Sequence, residues 1–104
     1  MFNELALHDA TLTSVLFNWA EGCCTIRLEV AGKVDYDLKL NEVSEILIPR
    51  REPWGSSKSI NAARTLSANI YEIELQSGDV IRVSANQWEF ISPRVDLPRK
   101  LSNV

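Results

Sequence analysis

One histidine, two adjacent cysteines and two pairs of carboxylates at alternate positions are the residues of this 104-residue chain with chemistry to offer. His8 has the one side chain here whose unperturbed pKa lies near neutrality, and Asp9 follows it directly. A carboxylate prepares an imidazole for proton transfer by facing it, which neighbours on an extended chain do poorly. The pair therefore reads as a turn or cap in which Asp9 holds backbone donors. Cys23 and Cys24 point to opposite faces of an extended strand, so they are poorly placed to bond each other or to join His8 in a zinc set. Both read as reduced thiols, and neither metal nor cofactor is expected. Asp35 and Asp37, like Glu72 and Glu74, stand roughly 6 to 7 Å apart along a strand. That is near the separation used by inverting glycosidases, but one flat strand does not set two carboxylates on opposite sides of a sugar ring. They read as the solvated faces of strands. Nor is Gly55-Ser56-Ser57-Lys58-Ser59 a phosphate loop, because Ser57 precedes Lys58 where glycine is required and Glu52 takes the place of the first glycine. No catalytic residue is expected, and the chain is read as not an enzyme.

Arg50, Arg51, Trp54, Lys58 and Arg64 are the expected binding residues. They fall in an irregular stretch, residues 50–69, broken by Pro53, Gly55 and four serines, Ser56, Ser57, Ser59 and Ser67, the kind of loop that commonly carries binding groups. A tryptophan beside arginine is the composition of a protein-interface anchor, or a stacking platform for a planar ligand. The bland alternative is that Trp54 plugs one end of the core.

The elements that must position these residues are strands. Along residues 70–85 Tyr71, Ile73 and Leu75 alternate with Glu72, Glu74 and Gln76, then Ser77-Gly78-Asp79 turns the chain into a β-branched run from Val80 to Ala85, which together read as a hairpin. In residues 11–19 Thr13, Val15, Phe17 and Trp19 share one face, with Leu12, Ser14, Leu16 and Asn18 on the other. Ala20-Glu21-Gly22 returns the chain through residues 23–31, and Gly32-Lys33 turns it into residues 34–40, with Val34, Tyr36, Leu38 and Leu40 inward. Residues 43–49 are either a buried strand or begin with a helical turn. Residues 2–10 read as a short edge strand or a lead-in loop, residues 59–63 as a short strand in preference to a helical turn, and residues 88–91 as the last strand. Pro93 and Pro98 lack the backbone donor of a strand interior, so the tail from Ser92 should leave the sheet. The expected fold is all-β, an antiparallel meander of six to eight strands forming a small barrel or sandwich, with residues 1–92 as a single domain and 93–104 as an irregular tail.

Composition narrows the class. At 45% hydrophobic and 24% charged the chain is too apolar for disorder and long enough to bury one core. A net charge of -3 argues against a phosphate-backbone binder, so nucleic acid is not an expected partner. There is no signal-peptide pattern and no run of membrane-spanning length, which makes the cytoplasm the expected compartment.

Leu7-His8-Asp9-Ala10 before a strand, Trp54-Gly55-Ser56-Ser57-Lys58-Ser59-Ile60-Asn61 in the middle and Glu74-Leu75-Gln76-Ser77-Gly78-Asp79 after it resemble small bacterial all-β proteins of uncharacterised role. That group is similar, in size and in its His-Asp opening, to immunity proteins of bacterial toxin systems. The resemblance spans residues 5 to 92 and implies a small bacterial β domain with a protein-binding role; it carries over no functional residue. The functional expectation is a non-enzymatic interaction module, possessing a protein partner or forming a homodimer through its sheet edges. The alternatives are a β-barrel holding a small ligand in its interior or mouth, and behind it an unrecognised hydrolase.

Overall fold

Alternating side chains become eight strands in the computed structural model, which describes residues 2–30 and 34–91. They are β1 (Thr11–Asn18), β2 (Cys23–Val30), β3 (Val34–Asn41), β4 (Glu45–Leu47), β5 (Ile60–Ser67), β6 (Ile70–Leu75), β7 (Val80–Ser84) and β8 (Gln87–Ile91). The expected turn at Gly32-Lys33 and the expected tail from Ser92 lie outside the described residues. Every pairing is antiparallel, in two four-stranded sheets: sheet A in the order β1-β2-β3-β8 and sheet B in the order β4-β7-β6-β5. The sheets do not close on one another, so the fold is a sandwich rather than a barrel.

Strands β1 to β3 and β5 to β7 each follow the chain, as short turns require. The chain changes sheets twice, after β3 and after β7. These crossings lie side by side: the Asn86 N–H donates to the Asn41 carbonyl at 3.1 Å, and the Asn86 side-chain amide to Glu42 Oε1 at 2.7 Å. β4 therefore lands beside β7, and β8 beside β3. The stretch at 43–49 is a strand, shortened to Glu45–Leu47, but it is an exposed sheet edge and not the buried strand expected, whereas β5 runs on to Ser67, well past the expected end at residue 63. The opening segment is neither strand nor plain loop, because Phe2–Glu4 form a 3-10 turn.

Sheet A brings Ile26, Leu28, Leu38 and Leu40 against Ile60, Ile73, Ile81 and Val83 of sheet B, and all eight are buried. Each such side chain contributes about 1.5–3 kcal/mol relative to exposure. Cys24 is buried among them, and burial, with the neighbouring Cys23, pushes its thiol up to about 11. It behaves as a small apolar side chain, and both cysteines are free.

Strict alternation fails in β1. The register with β2 slips between Leu12 and Ser14, and the bulged Thr13 hands its hydroxyl to the Arg27 carbonyl at 2.9 Å. Leu12 and then Val15 and Phe17 consequently all pack against the core, which corrects the grouping of Leu12 with the opposite face. Trp19 lies beyond the end of β1 and is 86% exposed, so it is not a core residue.

Candidate interaction surface

The irregular loop is not loose, because a buried carboxylate organises it. Asp79, at the exit of the β6–β7 turn, accepts the Arg51 N–H at 2.9 Å and the Glu52 N–H at 2.7 Å, and lies 3.3 Å from the Ser77 hydroxyl. The Trp54 N–H donates to the Ser77 carbonyl at 3.0 Å, so both ends of the loop's first turn are fastened to one hairpin. One edge of the Trp54 ring then rests against Gly78, where no side chain intervenes, and the residue stays 76% exposed. A plug would be buried, so Trp54 does not seal the core.

The five expected binding residues are distributed over three places. Arg50 and Lys58 line a cleft of about 370 Å³ between the loop and β1, floored by Leu12, Val15 and Ile81. Arg51 points the other way, into a hollow of about 270 Å³ shared with Leu47, Pro53, Gly78 and Arg82, with Trp54 at its edge on Gly78. Arg64 is away from the loop, in the middle of β5, on the outer face of sheet B. The sandwich interior is filled by the core side chains named above, which moves any small-ligand reading from a barrel interior to surface clefts such as the one at Arg50 and Lys58.

On that outer face Arg64, Glu72, Arg82 and Leu47 lie opposite one another on β5, β6, β7 and β4. Arg64 Nε meets Glu72 Oε1 at 2.9 Å, Arg82 Nη2 meets Glu72 Oε2 at 2.7 Å, and Arg64 Nη1 reaches Glu74 Oε1 at 2.8 Å. The two guanidinium groups cover Glu72, whose side chain is only 5% exposed, so it is not the solvated residue that alternation implies. Reading the sequence misses Glu72, Arg82 and Leu47 as members of this surface. The signal that finds them is cross-strand register, which a single chain's periodicity does not contain.

Burial raises the Glu72 carboxyl, but the hydrogen bonds from Arg82 and Arg64 and their charges outweigh it and hold it below its usual range. For Asp79 the penalty of burial is likewise outweighed, by the Arg51 and Glu52 backbone donors, the Ser77 hydroxyl and the Arg51 charge. A carboxylate whose folded-state pKa lies below its unfolded value of about 4 stabilises the fold at neutral pH and loses that contribution as pH falls through the folded value. The urea midpoint is therefore expected to drop as pH falls below about 5. Glu72→Gln and Asp79→Asn should each flatten that drop, and a midpoint equally acid-sensitive in both variants would disprove the assignment.

His8 and Asp9 do form a pair, with Nδ1 3.2 Å from Oδ2, both side chains exposed. Asp9 sits in the left-handed region at φ 71° and spends its other oxygen on the Gln76 side-chain amide at 2.7 Å, while its N–H donates to the Ile60 carbonyl. The turn is as expected, but the carboxylate holds side chains rather than backbone donors. Asp37 takes a bidentate Arg27 at 2.8 and 3.0 Å. Among the described residues no cluster of His, Cys, Asp and Glu is arranged to hold a metal, and no helix is long and apolar enough to cross a membrane. No family model, curated protein or solved structure matches this chain.

Proposed function

We propose that this chain is a non-enzymatic protein-interaction module of the bacterial cytoplasm, which grips a protein partner, or a second copy of itself, through the outer face of sheet B and the loop folded onto it. The observation that carries this reading is the posture of Trp54. Its own N–H is held by the Ser77 carbonyl and the chain just before it, at Arg51 and Glu52, by Asp79, yet its ring is 76% exposed. An aromatic side chain fixed before binding contributes contact area at little entropic cost, and tryptophan with arginine is the composition of interface hot spots. Arg51, Arg82 and the exposed Leu47 adjoin it. An immunity-like role, in which the partner is a toxin, is the specific form suggested by the His-Asp opening.

Trp54→Ala is expected to leave the unfolding transition within about 0.5 kcal/mol of wild type, as exposed positions do, whereas Arg51→Glu sets a negative charge beside Asp79 and should lower the midpoint without abolishing folding. Each should weaken partner capture, or self-association in light scattering, by about 2 kcal/mol or more, the size of a hot-spot loss. Undiminished association in both variants would remove this face from the function.

A further inference from the structure

Strand β4 ends early, and its end opens a hollow on the outer face of sheet B. Its ladder with β7 pairs Leu47 with Arg82 and would continue to Pro49 opposite Val80, but proline has no N–H to give. The chain departs instead toward Arg51 and Glu52, whose N–H groups Asp79 holds at 2.9 and 2.7 Å. The hollow of about 270 Å³ left there is walled by Leu47, Pro49, Pro53 and Val80. Arg51 lines it from the loop and Arg82 from β7, and the exposed Trp54 ring stands at its rim against Gly78.

The side-chain hydrogen-bonding capacity left in this hollow is of one kind. Asp79, the carboxylate that lines it, is 4% exposed and has both oxygens committed, Oδ1 to the Arg51 N–H and Oδ2 to the Glu52 N–H and the Ser77 hydroxyl. Arg51 feels Asp79 as a charge, but its guanidinium donates no hydrogen bond among the described residues. Arg82 gives Nε and Nη2 to one Glu72 oxygen at 2.9 and 2.7 Å, which fixes the plane of the group and leaves Nη1 without a partner among the described residues. What remains open is two sets of donors, and they call for an acceptor. Charge decides which one. Asp79 offsets Arg51, while Glu72 and Glu74 together offset Arg82 and Arg64, so an acceptor with a single negative charge fits. A phosphoryl group, at about −1.5 to −2, would set an excess of charge against those carboxylates.

We propose that this hollow is a carboxylate pocket, taking the side chain of an aspartate or glutamate of a protein partner whose apolar neighbour packs against Trp54. Its role rests on the preceding reading of the Trp54 face as a protein-binding surface and names what that face selects. The apolar walls exclude water around the new pair, which strengthens it. Arg82 is already held by Glu72, so it loses little freedom when the carboxylate arrives.

Selection of random peptides of about ten residues against the full chain tests this. Enriched peptides should carry Asp or Glu beside an aromatic or aliphatic residue. Changing that acid to Asn or Gln in the peptide should weaken binding at least about tenfold, and Arg51→Gln in the protein should do the same. The two changes together should cost no more than either alone, because both remove one pair. Arg82→Lys keeps a charge beside Glu72 but loses the planar fork, and it too should weaken the acidic peptides. The proposal is overturned if no peptide enriches, if the amide peptides bind as well as the acids, or if the losses from the amide and Arg51→Gln add. Phosphoserine in place of the acid binding about tenfold tighter would overturn it in favour of a phosphoryl site. A wild-type dimer that Arg51→Gln dissociates would overturn it in favour of a second copy. Peptides that need Trp54 but no acid sink the pocket and leave the binding face standing, whereas peptides that ignore Trp54→Ala remove the face and the pocket with it.

Discussion

Replacing Ile73 by alanine is expected to lower the free energy of unfolding by about 2–5 kcal/mol, the range measured when a buried aliphatic side chain is cut back to a methyl group. Ile73 is 2% exposed in the middle of β6, opposite Ala63 on one side and Ile81 on the other, so its neighbours are held by ladders on both flanks and cannot collapse into the void. A domain of this size has about 5–15 kcal/mol in total, and the change would take a large share of it. The check is a urea titration in which the midpoint falls while the slope is unchanged. Ile73→Leu conserves volume and should cost less than about 1.5 kcal/mol, and Leu66→Ala, at a position 53% exposed, should stay within about 0.5 kcal/mol. Similar losses in all three would mean that the core does not centre where the sheets place it.

Gly78→Ala should damage stability and binding together. Gly78 has φ 101°, beyond the left-handed well that other residues occasionally use, and its new Cβ would collide with the Trp54 ring and come within 3.1 Å of Pro53 Cγ. The ring is exposed and can swing away, so the steric part is relieved by displacing Trp54, and backbone strain of about 1–3 kcal/mol remains. The expected results are a lowered unfolding midpoint, a changed indole emission, and loss of partner binding as deep as that of Trp54→Ala. Because the two changes act through one contact, the double variant Gly78→Ala/Trp54→Ala should lose less than the sum of the singles. Additive losses would show that Trp54 does not rest on this glycine.

How much of this was legible beforehand differs from element to element. The hairpin at residues 70–85 is read almost to its ends, because Tyr71, Ile73, Ile81 and Val83 recur at the period of a pleated strand and Ser77-Gly78-Asp79 supplies the turn. β1 is read in phase from Ser14 to Asn18 but out of phase at Leu12 and Thr13, since the Thr13 bulge inserts one residue that composition does not announce. The candidate site fares worst: Arg50, Arg51, Trp54, Lys58 and Arg64 look like one cluster along the chain but divide among a cleft, a hollow and a sheet face. Glu72 looks solvated until two neighbouring strands lay arginines across it.

Sequence by itself determined that this protein is built of antiparallel strands, which residues turn toward the core in most of them, and where the tight turns fall, because each of those depends on neighbours a few positions apart. Only the tertiary structure decided that β4 joins β7 and β8 joins β3, that Phe2 packs between Tyr71 and Trp88, and that Asp79 holds a loop more than two dozen residues upstream. Those outcomes depend on groups distant along the chain meeting in one register, and a register is a property of two strands at once, which no single stretch can carry.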